Sequence, residues 1–198
     1  EFCSQMCKTA VAKALETPMS VTSLQEDFGV NPDAVFNPLD RPVYINFGIA
    51  AGNASDSKNV WNNITTPIAG AAIRNIFNIK GYGTDLCLTV EKAFGGVATD
   101  GMAYTGADFD IPAGAAQSSF YGTGNSSVML SGLYPGQAYD MKVFASAADG
   151  ATSKFKFMGE NEAEASLDPV ANSNRLAEVT DIKADERGRI RLDVSAEG

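Results

Sequence analysis

The chain has 198 residues, and its 15 lysines and arginines against 24 aspartates and glutamates give a net charge of −9. A chain of this length can bury a sizeable core without disulfide or metal staples. The acidic balance and the lack of any basic run argue against nucleic acid and against an anionic membrane surface as partners, because both need clustered positive charge.

Histidine is absent from the sequence. Its absence excludes Ser-His-Asp and Cys-His catalysis within this chain and removes the commonest transition-metal ligand. The three cysteines predict no disulfide framework, because Cys3 and Cys7 lie one helical turn apart and Cys87 lies in an apolar strand pattern. Without a Cys-x-x-Cys motif, we interpret them as buried or incidental thiols. No apolar run reaches the roughly 18 residues of a membrane helix, and the first residues have no signal-peptide pattern.

The N-terminal part predicts a helix followed by a connector. Strong helix formers fill residues 3–16, and Pro18 ends the predicted helix. Residues 17–42 contain four prolines and several turn signals, but they are too apolar for a free linker, so we expect them to pack along a surface. We therefore predict two parts: a helix and packed connector at 1–41, and a β module at 42–198.

From Arg41 onward the hydrophobic period changes to two, which is typical of strands. In the first such segment Val43, Ile45 and Phe47 share one face. The alternation recurs at residues 86–90, 128–130, 139–145, 155–157, 176–182 and 190–194. A turn at 185–188 joins the last two segments, and this pattern predicts a hairpin. Residues 71–79 fit either a short helix or an irregular strand.

These strands predict an all-β fold, an antiparallel β-sandwich. A barrel is disfavoured because residues 94–126, rich in Gly, Ala, Ser, Thr and Asp, interrupt the even strand spacing. Long loops on a rigid scaffold are where ligand contacts usually lie.

Four stretches carry a resemblance to a known family. They are Val43-Tyr44-Ile45-Asn46-Phe47-Gly48, Trp61-Asn62-Asn63-Ile64-Thr65, the turn and strand from Leu130 to Tyr139, and the segment from Asp185 to Val194. Together, over residues 42–196, they resemble the galactose-binding-like β-sandwich (jelly-roll) modules attached to bacterial polysaccharide-active enzymes, including SGNH (GDSL-type) carbohydrate esterases. The resemblance implies a carbohydrate-binding module on a secreted or cell-surface bacterial protein, with an appended catalytic domain as partner.

The sequence departs from this family in one respect and extends beyond it in another. Such modules usually end with one more apolar strand beside the first, whereas this chain stops at Ala196-Glu197-Gly198, so either the sequence is truncated or another segment fills that edge. Residues 3–16 resemble the last helix of an SGNH catalytic domain. In that case the catalytic Ser and the Asp-x-x-His element would lie upstream of residue 1.

The candidate sugar-binding residues begin with Trp61, the only tryptophan. A pyranose packs its C–H face on an aromatic ring, while amides and carboxylates bind its hydroxyls. Because Asn59 and Asn63 flank Trp61 at i±2, we expect a partly exposed indole, with Asn62 and Asn63 as hydroxyl partners. The alternative is a structural cap over the end of the sandwich and asparagines that form turns.

Three tyrosines extend the candidate carbohydrate site: Tyr82, Tyr104 and Tyr121. Each lies in a glycine-rich stretch and could rim a cleft, as could Phe109, although plain packing is the alternative interpretation for each. Tyr44, in a strand pattern, we assign to structure.

Aspartates on the predicted loops raise the question of a structural calcium ion. Asp56, Asp100, Asp108 and Asp110 supply hard oxygen ligands, but no Asp-x-Asp-x-Asp-Gly loop is present, so a solvated acidic rim is the alternative. No two carboxylates are placed at a defined separation, so the sequence assigns no catalytic residue.

The leading hypothesis is a non-catalytic module that binds a plant cell-wall polysaccharide or oligosaccharide of the xylan or pectin type and targets an appended enzyme to it. The alternative is a structural β-sandwich that packs on or links a catalytic domain without binding glycan. An adhesion module that binds protein is a third interpretation.

Overall fold

Strands carry most of the regular structure in the computed structural model, which describes residues 38–49, 59–122 and 124–197. The predicted helix at 3–16 and most of the connector at 17–42 lie outside the described residues, and the predicted boundary at 41/42 stays a prediction. A 3-10 turn at Pro38–Asp40 leads into the first strand. The elements that follow are β1 (Tyr44–Phe47), β2 (Trp61–Ile64), β3 (Ala72–Arg74), β4 (Cys87–Lys92), β5 (Gly96–Ala98), α1 (Ala113–Gln117), β6 (Ser119–Tyr121), β7 (Ser126–Ser131), β8 (Ala138–Val143), β9 (Ser153–Met158), β10 (Glu162–Leu167), β11 (Ala177–Lys183) and β12 (Arg189–Ala196).

The largest sheet has six antiparallel strands in the order β10-β9-β12-β7-β4-β3. Three two-stranded sheets complete the described strands: β8 with β11 and β5 with β6 are antiparallel, and β1 with β2 is parallel. The prediction of an all-β fold is confirmed.

Strand β9 shows how the alternating pattern forms this sheet. Phe155 and Phe157 are buried on one face, each with 4% of its surface exposed, while Lys154 and Lys156, which alternate with them, pair with carboxylates of β10. Lys154 Nζ lies 2.6 Å from Glu164 and Lys156 Nζ lies 2.7 Å from Glu162. The apolar side chains therefore hold β9 against the core, and the ion pairs on the other face favour its pairing with the edge strand β10.

One hydrophobic core joins the six-stranded sheet to the smaller sheets. Val90 and Ile190 of the large sheet and Ile182 of β11 belong to it, and Val90 and Ile182 have no exposed surface. Ile64 of β2 is also in this core, and Ile45 of β1 packs against it. Since side chains alternate along a strand, Tyr44 and Trp61 lie on the opposite face of the β1–β2 pair, away from this core.

The predicted hairpin between the last two strands is wrong. The turn itself is present: Asp185 N–H donates to Arg189 O at 2.9 Å, and Gly188 takes a φ of 68° that favours glycine. However, β11 pairs with β8, whereas β12 lies between β7 and β9 in the large sheet. The chain thus passes from one sheet to another at this turn, and β12 finds hydrogen-bond partners on both sides.

The structure decides one segment for which the sequence pattern left two interpretations open, and it adds one strand that the pattern did not predict. Residues 71–79, for which helix and irregular strand were both open, contain the short edge strand β3 and then a turn. Strand β10 was not predicted, because its inward positions are Ala163 and Ala165, whose small side chains give a weak period-two signal.

The loop-rich stretch at 94–126 contains the short elements β5, α1 and β6, and hydrogen bonds fix its irregular part to distant segments. Thr105 N–H donates to Ser173 O at 2.7 Å, and Met102 N–H donates to Ser146 Oγ at 2.8 Å. The loop is therefore held against the segment that follows β8 and the segment that precedes β11. Across the described ranges, no helix is long and apolar enough to cross a membrane.

Candidate functional site

The parallel pairing of β1 with β2 brings Trp61 beside a tyrosine. Tyr44 is the register partner of Trp61, so both side chains leave the same face of the pair. Their ring centroids lie 4.9 Å apart with the planes tilted by 41°. Both side chains are half-buried, and the predicted partial exposure of the indole agrees with its placement here.

The loop after β5 adds a third ring to this face. Phe109 meets the Tyr44 ring edge-on, with the centroids 6.1 Å apart and the planes at 81°. Lys142, on the exposed face of β8, places Nζ 5.2 Å from the centre of the Phe109 ring, a cation–π contact. The same ammonium lies 3.1 Å from a carboxylate oxygen of Glu178 on β11.

Two more rings lie at the end of β8. Phe144 directly follows β8, and Tyr104 meets the Phe144 ring edge-on, with the centroids 5.1 Å apart and the planes at 81°. We call Tyr44, Trp61, Tyr104, Phe109 and Phe144 the aromatic cluster. Strands β1 and β2 supply Tyr44 and Trp61, Phe144 directly follows β8, and the loop before α1 supplies Tyr104 and Phe109.

Two polar atoms of the aromatic cluster are buried without a hydrogen-bond partner in the described structure: Trp61 Nε1 and the Tyr104 hydroxyl. An orphaned buried donor costs about 1–3 kcal/mol relative to a paired one. Neither atom reaches the solvent, so the aromatic cluster presents ring surface rather than these two donors.

Burial and nearby carboxylates raise the pKa of both tyrosines of the aromatic cluster. Burial, and next to it the charge of Asp110, raises the pKa of Tyr44. Burial also raises the pKa of Tyr104, helped by Asp108 and Glu178 and opposed by Lys142. Both phenols therefore remain neutral hydrogen-bond donors at neutral and moderately alkaline pH.

Asn62, a predicted hydroxyl partner, is engaged with the backbone of two neighbouring segments. Its Nδ2 donates to Tyr44 O at 2.9 Å and to Phe77 O at 2.7 Å, and its Oδ1 accepts from Phe77 N–H at 2.9 Å. It lies on the opposite face of β2 from Trp61. The structure thus places Asn62 as a clamp between β1, β2 and the following turn rather than beside the indole.

Asn63, the second predicted hydroxyl partner, does share the face of Trp61. Its Oδ1 accepts a hydrogen bond of 3.0 Å from Nδ2 of Asn46, its register partner, and Asn46 also donates to Ile49 O at 2.7 Å. Asn46 is buried, with 3% of its surface exposed. This amide pair continues the Tyr44–Trp61 row along the two strands.

Tyr82 lies on an exposed turn next to the start of β2, where Val60 N–H donates to Ile79 O. Half of its surface is exposed, and Phe77 on the same turn is 45% exposed. The buried side chain of Asn78 accepts from the backbone N–H groups of Lys80 and Tyr82 at 2.9 and 3.2 Å. The turn therefore presents Tyr82 from a fixed backbone.

Tyr121 lies in a different part of the fold, on β6. Its ring packs against the β5 side so closely that a Cβ on Gly96 would come within 2.9 Å of ring carbon Cε1. A surface concavity of about 270 Å³ is nearby, lined by Lys92, Ala93, Phe94, Gly95, Gly124, Asn125 and Ser126. Among the described residues that line it there is none of the six predicted binding residues.

Among the residues that the structure describes, no group of three or more Cys, Asp or Glu side chains is arranged to hold a metal ion such as calcium. Asp100, Asp108 and Asp110 are exposed, and Asp56 lies outside the described residues. Cys87 is a half-buried free thiol, with Sγ 3.8 Å from Thr89 Oγ1.

The sequence pattern assigned Tyr44 to structure and gave Phe109 only a general role in rimming a cleft. The parallel pairing of β1 with β2 places Tyr44 directly beside Trp61. The only local signal was its position on the polar side of β1.

Comparison with protein-family models, with curated proteins and with solved structures finds no match to this chain.

Proposed function

We propose that the described all-β unit is a non-catalytic carbohydrate-binding module whose ligand, a plant cell-wall polysaccharide, contacts the aromatic cluster. The observation that carries this proposal is the half-buried row of Trp61, Tyr44 and Phe109 on the non-core face of β1–β2. Xylan and pectin types are the ligand classes. The proposal places the protein at a bacterial cell surface or in the secreted fraction, attached to a catalytic domain.

Two properties of the aromatic cluster favour a sugar ligand. Its rings offer apolar surface to the C–H faces of a pyranose, and such contacts need no charge. The loop that brings Phe109 is tied to the scaffold through Thr105, so ring positions are set before binding.

We also propose that the sheets stack as a β-sandwich of the galactose-binding-like, jelly-roll type. The shared core between the six-stranded sheet and β11 supports two layers, and β1, β2 and β8 direct their opposite face toward the aromatic cluster. In this arrangement the ligand surface lies outside the second layer.

Affinity electrophoresis tests the ligand assignment. Native gels containing xylan should retard the wild-type protein, and Trp61→Ala should lose at least about tenfold in affinity because one of the three rings of the row is removed. The matched control is Tyr134→Ala, an exposed tyrosine at the opposite end of β8 from Phe144, which should bind as the wild type does.

Equal retardation of all three proteins would remove the site assignment. Absence of retardation by every neutral and acidic polysaccharide, from a protein with a cooperative unfolding transition, would remove the carbohydrate function.

One observation favours a second function, a module that packs on or links a catalytic domain without binding glycan. The rings of Trp61 and Tyr44 pack on each other, and Nε1 of the indole is withdrawn from solvent, as in an ordinary packing cluster. In that case no glycan binds, and Trp61→Ala lowers stability only.

A further inference from the structure

We propose that the surface concavity between the β4–β5 connection and the β6–β7 connection binds a uronate, a sugar that carries a carboxylate. The concavity has a volume of about 270 Å³ and is lined by Lys92, Ala93, Phe94, Gly95, Gly124, Asn125 and Ser126. The choice of a sugar rests on the proposed function, whereas the site is separate from the aromatic cluster and shares no residue with it.

Hydrogen bonds hold the two walls of the concavity together. Ser126 Oγ, on the β7 side, donates to Ala93 O on the β4 side at 2.9 Å. Gly95 N–H donates to Tyr121 O at 2.7 Å, and Phe94 packs against the hydrophobic core. The backbone around the concavity is therefore in place before a ligand arrives, which lowers the entropy cost of binding.

Gly124 lines the concavity at a position where neither the backbone nor the packing requires a glycine. Its φ lies outside the left-handed region, and a Cβ added to it would meet no heavy atom within 4 Å. The fold can therefore accommodate a large side chain at this position. Because Gly124 lines the concavity, such a side chain would compete with a ligand for the space.

The polar side chains of the lining suit a carboxylate together with sugar hydroxyls. Lys92 is exposed, and the ion pairs within the described ranges do not include it. An ammonium binds a carboxylate through charge-assisted hydrogen bonds. Asn125, also exposed, offers both a donor and an acceptor to hydroxyls, and no aspartate or glutamate is among the described lining residues.

The size of the concavity and the charge of the chain limit what it can bind. Pockets for drug-sized ligands measure about 300–1,000 Å³, so this smaller concavity suits about one sugar ring. A net charge of −9 repels anions at long range, so the attraction for a carboxylate has to come from Lys92 itself. We therefore expect an affinity in the millimolar range for a single uronate.

A ¹H–¹⁵N titration of the protein tests the site, with the ionic strength held at about 0.15 M. The probes are galacturonate, which combines a sugar ring with a carboxylate, galactose, which has the ring alone, and acetate, which has the carboxylate alone. The amides of Gly95, Gly124 and Asn125 should shift to saturation with galacturonate. Galactose and acetate should bind at least about tenfold more weakly, because each lacks half of the contacts.

Two variants assign the binding to the concavity. Lys92→Gln should weaken galacturonate binding at least about tenfold, whereas Lys80→Gln, which removes an exposed lysine from the turn that carries Tyr82, should bind as the wild type does. Both variants change the net charge equally, so the comparison isolates the local ammonium. Gly124→Leu should abolish binding and leave the amide signals of distant strands in place, because the fold has room for the side chain.

Acetate or galactose that binds as tightly as galacturonate would overturn the uronate assignment, and wild-type affinity in Lys92→Gln or Gly124→Leu would overturn the site. If galacturonate shifts the indole signal of Trp61 and not the amides of the concavity, this inference fails and the carbohydrate function stands. A titration in which no signal of the folded protein moves overturns this inference alone, because xylan binding tests the proposed function separately.

Discussion

Several polar side chains in this protein form hydrogen bonds to the backbone of neighbouring segments. Asn172 is the clearest case: with 1% of its surface exposed, it donates through Nδ2 to Ala145 O and Arg175 O, each at 2.9 Å. Its Oδ1 accepts from Arg175 N–H at 2.9 Å. Buried amides of this kind fix irregular turns that have no strand partner, and the half-buried Asn62 in the same way ties β2 to the turn that contains Phe77.

The turn that Asn172 holds contains a strained alanine. Ala171 has a φ of 48°, in the left-handed region that costs an L-residue about 1 kcal/mol or more. Its N–H donates to Ala147 O at 3.0 Å, a bond that glycine would keep. We expect Ala171→Gly to raise the free energy of unfolding by about 0.5 kcal/mol, the relieved strain exceeding the added chain entropy. Urea denaturation measures the change.

Ala148→Gly is the matched control, an exposed alanine nearby that lacks a positive φ. It should lower the free energy of unfolding by about 0.5–1 kcal/mol, because only the entropy term remains. If Ala171→Gly destabilises the protein as much as this control does, the left-handed conformation of Ala171 stores no strain.

At the scale of elements, the turn between β11 and β12 is organised by Asp185. Its Oδ1 accepts from the N–H groups of Arg187 and Arg189, both at 2.9 Å. Its Oδ2 accepts from Nε and Nη2 of Arg189 at 3.0 and 2.8 Å. This carboxylate closes the turn at which the chain leaves one sheet for another, so it links two sheets that do not share a hairpin.

The stability that Asp185 gives to this turn should depend on pH. Partial burial works to raise the pKa of Asp185, but the Arg189 side chain and the two backbone N–H groups outweigh it and lower the pKa. A lowered folded-state pKa means that the stabilisation is complete above the unfolded value of about 3.9 and is lost as the pH falls through the folded value.

Asp185→Asn isolates this charge, because the amide oxygen can still accept from the backbone. We expect the variant to be about 1 kcal/mol less stable than the wild type at pH 7, and the difference to be smaller at pH 2, below the unfolded-state pKa of about 3.9. Urea unfolding at both pH values measures it. A difference that is the same at both pH values would contradict the role of the charge, and Glu186→Gln should stay within about 0.5 kcal/mol of the wild type throughout.

At the scale of the whole molecule, the sequence predicted what is local and missed what is long-range. The alternation of Phe155 and Phe157 with lysines depends only on neighbouring residues, so it identified β9. The partners of β11 and β12 depend on contacts between distant segments, and there the turn at 185–188 was misleading. Likewise, a polar setting predicted the partial exposure of Trp61, but nothing local indicated that Tyr44 would be its register partner.

The central claim is that a glycan contacts the aromatic cluster, and the indole of Trp61 reports on it directly. Because the chain has one tryptophan, a ¹H–¹⁵N correlation spectrum contains a single indole N–H signal. Titration with a neutral xylo-oligosaccharide should shift this signal to saturation together with the amide of Phe109, while the amide of Tyr134 stays in place. An indole signal that does not move at concentrations that shift other amides, or a spectrum in which nothing moves, would contradict the claim.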